Sequence, residues 1–102
     1  MRLSFIWHKN AILSLQEENT FILSKWNEIE VQKFNDLVEE NLERLANNPK
    51  IGRLNSFFNV YYLVISKQTT LYYNFDETNK TIELYLFWNN LKNPDQLLKL
   101  FS

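Results

Sequence analysis

Residues 27–48 read NEIEVQKFNDLVEENLERLANN, and residues 57–65 read FFNVYYLVI. In the first stretch apolar residues recur every three or four positions, which predicts an amphipathic helix. The second stretch is a run of aromatic and β-branched residues, which is typical of a strand. The change of period near residue 56 therefore predicts helices in the first half of the chain and a sheet in the second, an α+β fold.

Two consecutive helices are predicted, over residues 9–25 and 28–47. Asn27 is suited to cap the second helix, and Glu30 follows it by three positions, the spacing of a capping box. Pro49 then ends that helix. The two helices should fold back on each other as a hairpin. The apolar stripe of the first helix is expected to consist of Ile12, Leu15, Ile22 and Trp26.

Strands are predicted on either side of this hairpin in sequence, over residues 2–7, 57–65, 70–75 and 81–88. Polar connections of four or five residues between the last three fit antiparallel hairpins. Asn93 and Pro94 form a strong start for a short final helix that runs to Phe101. The predicted order is β-α-α-β-β-β-α, with a two-helix hairpin packed on a four-stranded, mainly antiparallel sheet, in a single domain spanning residues 1–102.

Alternation along the last predicted strand indicates which side chains face the helices. The helix-facing set is expected to be Ile82, Leu84, Leu86 and Trp88, and the opposite set Glu83, Tyr85 and Phe87. Tyr61 and Tyr73 are expected to join Tyr85 on the side away from the helices. The predicted core comprises Phe34, Val38, Leu42, Leu84 and Leu86.

Composition excludes several classes of protein. The chain has 102 residues, no cysteine, one glycine, one histidine and a formal net charge of −1. The longest apolar run, 60–65, is far shorter than the ~20 residues of a membrane helix. The N-terminus lacks the apolar stretch of a signal peptide, so a cytoplasmic protein without a membrane partner is expected. Without cysteine, thiolate catalysis and disulfide bonds are excluded.

The common catalytic motifs are missing as well. Gly52 is the only glycine, so the chain has no glycine-rich phosphate loop. His8 is the only histidine and lies between a predicted strand and a predicted helix, where a surface or capping role is expected. A small hydrolase would need a nucleophile and base pair that the sequence does not show. No metal or other cofactor is expected.

Several short segments in a fixed order carry a family resemblance. They are Phe5-Ile6-Trp7, Lys25-Trp26-Asn27, Asn48-Pro49-Lys50-Ile51-Gly52, Val64-Ile65-Ser66-Lys67, Leu71-Tyr72-Tyr73, Phe87-Trp88-Asn89-Asn90 and Asn93-Pro94. Together, over about residues 2 to 98, the chain resembles the RelE/ParE superfamily, the toxins of type II toxin–antitoxin modules, which include plasmid stabilisation proteins. The specificity lies in the order of the segments, since no single one is diagnostic.

The resemblance implies a toxin that is neutralised by a cognate antitoxin. RelE-like members act on ribosome-bound mRNA as metal-independent endoribonucleases, in which the RNA's own 2′-hydroxyl is the nucleophile. ParE-like members bind and poison DNA gyrase. Whether this chain is an enzyme is left open by the sequence. The alternative is a catalytically inactive toxin-like fold that acts as a protein-interaction module.

The resemblance also suggests a catalytic surface on the sheet and its loops. The cations of this surface are expected to contact phosphate; they are Arg53, Lys67 and Lys92. Its tyrosines are expected to stack on bases or transfer protons; they are Tyr61 and Tyr73. The chain departs from the related pattern at two positions. Tyr61 and Tyr62 stand where a basic residue is expected, and Leu91 stands where an arginine is expected. Both departures weaken the prediction of ribonuclease activity.

Overall fold

The structure, a computed structural model, describes residues 2–101 and confirms the α+β fold. The elements are β1 (Ser4–Trp7), α1 (Lys9–Lys25), α2 (Glu28–Asn47), one turn of 3-10 helix (Pro49–Ile51), β2 (Arg53–Asn55), β3 (Val60–Val64), β4 (Thr69–Asp76), β5 (Thr81–Asn89) and α3 (Pro94–Phe101). Both long helices have the predicted bounds. Within the described residues no helix is long and apolar enough to cross a membrane.

Within residues 2–101 the sheet has five strands in the order β1-β5-β4-β3-β2, not the predicted four. All neighbours are antiparallel except β1 and β5, which run parallel with Ser4 opposite Thr81. The additional strand, β2, has only three residues, and its pairing with β3 places Arg53 opposite Tyr62. A strand of three residues is too short to show a periodicity in the sequence.

The strand predicted over residues 57–65 begins later than expected, because a turn occupies its first positions. The Asn55 side chain accepts hydrogen bonds from the backbone N–H groups of Phe57 (3.0 Å) and Phe58 (3.1 Å). Asn59 then adopts a left-handed φ of 57°, which asparagine tolerates better than most residues. The chain therefore enters β3 only at Val60, and Phe57 is 79% exposed.

A β-bulge in β5 changes which side chains face the helices. Tyr72 pairs with Leu86 and Tyr73 with Leu84, so Tyr85 is an extra residue in the ladder. Because one extra residue reverses the alternation, the prediction for the end of β5 was wrong. Phe87 faces α1 and α2, whereas Leu86 packs on the opposite side, called here the outer face. The two sets are Ile82, Leu84 and Phe87 inward, and Leu86 and Trp88 outward.

The buried stripe of α1 is also rotated from the predicted one. Its buried residues are Ala11, Ser14, Glu18 and Ile22. The predicted members Ile12 and Trp26 are 45% and 53% exposed. Polar members of the stripe are satisfied inside the protein: the Glu18 carboxylate accepts bonds from the Thr69 hydroxyl (2.7 Å) and the Asn89 amide (3.1 Å). A polarity pattern cannot reveal a stripe whose polar residues have buried partners.

The main core lies between the helices and the sheet, as predicted. Phe34, Val38 and Leu84 are buried there, and Leu42 is partly buried against them. Leu86 is buried too, but on the outer face.

Helix α3 covers part of the outer face. Leu97 is buried there in a second cluster whose other buried members are Val60, Tyr72, Leu86 and Trp88. The Phe101 ring packs 5.2 Å from the Phe58 ring and 5.3 Å from the Tyr72 ring, measured between centroids. The sheet therefore has apolar contacts on both sides, and the outer face is only partly covered.

Candidate functional site

The three predicted cations lie in three different places. Arg53 is exposed at the edge strand β2 and lines an open pocket of about 360 Å³ with Tyr62. Lys67, in the turn between β3 and β4, lines an apolar pocket of about 420 Å³ beside α1 and α2. Lys92 follows β5, where its ammonium lies 3.3 Å from the Glu17 carboxylate. The structure does not bring these charges together into one phosphate-binding cluster.

Tyr73 is fully buried, and its hydroxyl joins two parts of the backbone. It donates a hydrogen bond to the Pro49 carbonyl (2.7 Å) and accepts one from the Gly52 N–H (3.1 Å). Burial raises the pKa of Tyr73, and the hydrogen bond from Gly52 offsets part of this rise, with a resulting pKa of about 12. The hydroxyl therefore stays protonated at neutral pH. These contacts hold the turn before β2 against β4.

Tyr61 and Tyr73 do not lie beside Tyr85, contrary to the sequence prediction. Both pack in the helix-facing core, with their ring centroids 5.9 Å apart. Tyr85 packs on the outer face. The reason is the β4–β5 register, in which Tyr73 lies opposite Leu84 and so shares its inward direction.

A cavity of about 460 Å³ lies on the outer face beneath the end of α3; it is called the α3 cavity below. Its apolar wall includes Val60, Leu86 and Phe101. Polar side chains from the β1–α1 junction and the sheet complete it: His8, Lys9, Asn10, Asn59, Asn74 and Tyr85. Six of its ten lining side chains are polar, so the cavity is more polar than the usual ligand pocket and suits a polar ligand.

A chain of hydrogen bonds links His8 to the sheet beside this cavity. Nε2 of His8 lies 3.2 Å from Oε1 of Glu83, and the Tyr85 hydroxyl donates to Oε2 of Glu83 at 3.2 Å. The His8 and Tyr85 rings meet edge to face with centroids 4.7 Å apart. Partial burial is the main cause that raises the pKa of Tyr85, and the nearby Glu83 carboxylate raises it further. The Tyr85 hydroxyl therefore stays protonated and acts as the donor.

Sequence reasoning assigned His8 a surface or capping role and so missed this arrangement. His8 does occupy the N-cap position of α1, but its side chain makes no capping hydrogen bond. It lies beside Glu83 because the parallel pairing of β1 with β5 places Trp7 opposite Leu84. The only local signal was a lone histidine at a strand-to-helix junction, and nothing in the sequence showed which strand it would meet.

Comparison with known proteins agrees with this architecture. Residues 5–92 match the model of a family described as the ParE toxin of the type II toxin–antitoxin system parDE. The class is therefore that of type II toxin–antitoxin toxins. Within that class the chain belongs to the ParE toxin family, which confirms the resemblance seen in the sequence.

A solved structure shows the same fold. It is the crystal structure of the toxin–antitoxin complex RelBE2 from Mycobacterium tuberculosis, which matches with a TM-score of 0.62 and 13% sequence identity. The match covers 88% of this chain and 100% of that chain. No curated protein matches the sequence.

Proposed function

We propose that this toxin arrests growth by cleaving mRNA on the ribosome. The observation that supports the proposal best is the α3 cavity, where the His8 imidazole and the Lys9 ammonium line a space of about 460 Å³ and the Glu83 carboxylate contacts the imidazole from outside the lining. That volume falls within the ~300–1,000 Å³ of small-molecule sites and can accommodate one nucleotide. The Asn59 amide and the Phe101 ring, which line the cavity, offer hydrogen bonding and stacking to a single-stranded base.

The chemistry of RNA cleavage requires three things. A base must take the proton of the 2′-hydroxyl, a positive group must stabilise the charged phosphorane, and a proton must reach the leaving oxygen. The α3 cavity offers groups for the first two. Arg53 lies on the same outer face, where it remains a predicted phosphate contact.

The net charge explains why a ribosome would be needed. At −1 the chain has no strong general attraction for a polyanion. An mRNA already held by the ribosome does not have to be captured by charge. We therefore expect cleavage of ribosome-bound mRNA and little cleavage of free RNA.

A reconstituted translation reaction tests the proposal. Purified toxin is added to ribosomes carrying a defined mRNA, and primer extension locates new RNA ends. New ends that appear only when ribosomes are present support the proposal. Intact mRNA under conditions where the toxin stops growth would refute it.

Gyrase poisoning is the second candidate, and a separate observation favours it. The three predicted cations line different pockets, and the Tyr73 hydroxyl is engaged in the structure, so the predicted catalytic residues form no common site. A toxin that acts only by binding would need no such site. Supercoiling assays with the same preparation test this candidate, through loss of supercoiling or accumulation of cleaved DNA.

If induction of the toxin alone leaves growth unchanged, the chain is an inactive interaction module.

We infer that the cognate antitoxin binds the outer face and competes with α3. The helix has eight residues and is marginal without packing. Leu98 and Leu100 of α3 are 41% and 48% exposed, so apolar surface remains uncovered there. The test is deletion of residues 94–102 followed by a binding titration with the antitoxin encoded beside the toxin gene. An unchanged dissociation constant would exclude the competition.

Ribosome, gyrase and antitoxin are all cytoplasmic partners, so a cytoplasmic location remains the prediction.

A further inference from the structure

We propose that His8 is the general base of an RNA-cleaving site in the α3 cavity, with Glu83 as its positioning residue and Lys9 as the phosphate contact. The proposal rests on the proposed mRNA cleavage and identifies where on the protein it occurs. None of these three residues belongs to the predicted catalytic set.

The His8 imidazole is held in place from two sides. Its backbone N–H donates to the Leu84 carbonyl at 3.0 Å, which fixes the residue at the end of β1. Its Nε2 lies 3.2 Å from Oε1 of Glu83, and the edge-to-face contact with Tyr85 limits rotation of the ring. A carboxylate accepts but does not donate, so Nε2 carries the proton in the neutral ring. Nδ1 is then left with a lone pair that can accept a proton.

Glu83 is itself oriented by the sheet. Its second oxygen, Oε2, accepts the Tyr85 hydroxyl at 3.2 Å, so both carboxylate oxygens have partners. The carboxylate therefore has a defined direction toward His8. Its negative charge also stabilises the imidazolium that forms when Nδ1 takes a proton.

His8 and Lys9 are both accessible to a substrate. The His8 side chain is 42% exposed, and both residues line the α3 cavity. Within residues 2–101 the Lys9 ammonium has no ion-pair partner. Because both side chains line the same cavity, a phosphodiester group bound there can be reached by the base and by the cation.

The reaction balances with RNA and water alone. Nδ1 of His8 takes the proton of a 2′-hydroxyl, and the 2′-oxygen forms a bond to the adjacent phosphorus. The bond from phosphorus to the 5′-oxygen breaks, and that oxygen takes a proton from water. The products are a 2′,3′-cyclic phosphate and a 5′-hydroxyl end, and the imidazolium returns its proton to solvent. The Lys9 ammonium stabilises the negative charge of the phosphorane.

The test measures cleavage of a defined mRNA on ribosomes by the full chain and by four variants. His8→Ala should lower kcat by about 10²- to 10⁴-fold, the range for loss of a general base. Added imidazole should restore part of that rate, because it replaces the missing base. Glu83→Gln should lower kcat with KM unchanged. Glu77→Gln, in the exposed β4–β5 turn, is the matched control and should match the wild type. His8→Asn serves as the base-free variant if His8→Ala does not fold.

The outcomes separate this proposal from the proposed function. If the wild type cleaves no mRNA, the proposed function fails. If the wild type cleaves and the folded His8 variants cleave at the same rate, the His8 assignment is overturned. A folded but inactive His8→Ala that imidazole does not restore also overturns it, since the loss is then not that of a base. Wild-type products without a 5′-hydroxyl end overturn the reaction.

Discussion

Replacing Gly52 by alanine tests how tightly the turn before β2 is held. Gly52 has φ −78° and ψ −178°, an extended conformation that any residue adopts. The glycine is needed for space. A Cβ atom there would overlap the Tyr73 hydroxyl and lie 2.6 Å from the Tyr62 carbonyl oxygen. The Tyr62 oxygen belongs to the backbone of β3 and cannot rotate away.

The expected destabilisation combines three effects. Overpacking of this kind costs about 1–3 kcal/mol. Displacing the Tyr73 hydroxyl from Pro49 and Gly52 leaves buried polar groups unpaired, at about 1–3 kcal/mol. Alanine offsets about 0.4–1 kcal/mol by restricting the unfolded chain. We therefore expect the free energy of unfolding to fall by about 3 kcal/mol, a large part of the ~5–15 kcal/mol of a typical domain.

Urea unfolding followed by circular dichroism measures this loss, with Ser56→Ala in the neighbouring exposed turn as control. Tyr73→Phe should make Gly52→Ala less harmful, because the hydroxyl that the Cβ overlaps is then absent. A double-mutant cycle reports that coupling, which is expected to be about 0.5–3 kcal/mol for residues in contact. A loss below ~0.5 kcal/mol in Gly52→Ala, the size of an ordinary surface change, would refute the steric argument.

The burial and hydrogen bonds described above give three further predictions, and the family resemblance gives a fourth. Phe34→Ala should lower the free energy of unfolding by about 3–5 kcal/mol in denaturant titration, because the ring is 6% exposed in the main core. Glu18→Ala should lower the free energy of unfolding by about 1–3 kcal/mol, since the two buried partners of Glu18 on β4 and β5 lose their acceptor. A loss no larger than that of a surface substitution would contradict this hydrogen-bond network. Between pH 10 and pH 12 the wild type should lose stability that Tyr73→Phe does not lose, because Tyr73 deprotonates near pH 10 when unfolded and only near pH 12 when folded; parallel curves for the two proteins would contradict this. Changing Arg53 and Lys67 together to alanine should abolish growth arrest while the melting curve stays unchanged, and undiminished killing by that folded variant would remove both residues from the functional surface.

The local elements were predictable because local signals define them. The Asn27 side chain accepts the Glu30 N–H at 3.0 Å, and the Asn93 side chain accepts the Asp95 N–H at 3.0 Å, so both predicted helix starts are real caps. Only half of the expected capping box is present, since the Glu30 carboxylate pairs with Lys33 instead. Caps and periodicity involve residues a few positions apart, which is the range over which a sequence can be interpreted directly.

Features that depend on distant partners were not predictable. The bulge at Tyr85 reversed the faces of β5, and the buried Glu18 shifted the stripe of α1. The bulge arises in the pairing of β4 with β5, and the Glu18 contacts join α1 to both of those strands. The proposed functional residues were the hardest to predict, because the α3 cavity joins the β1–α1 junction to β5. Family resemblance identified the class of toxin, but it could not place His8 beside Glu83.

The parallel pairing of β1 with β5 also has a consequence for synthesis. Because β1 is translated before residues 81–84, with which it pairs, it has no strand partner until those residues have been made. Contacts between such distant residues form late, since a long loop must close before they stabilise anything. A nascent chain can form the α1–α2 hairpin early, but it cannot assemble the α3 cavity. The proposed site in the α3 cavity therefore cannot form on a nascent chain that lacks residues 81–101.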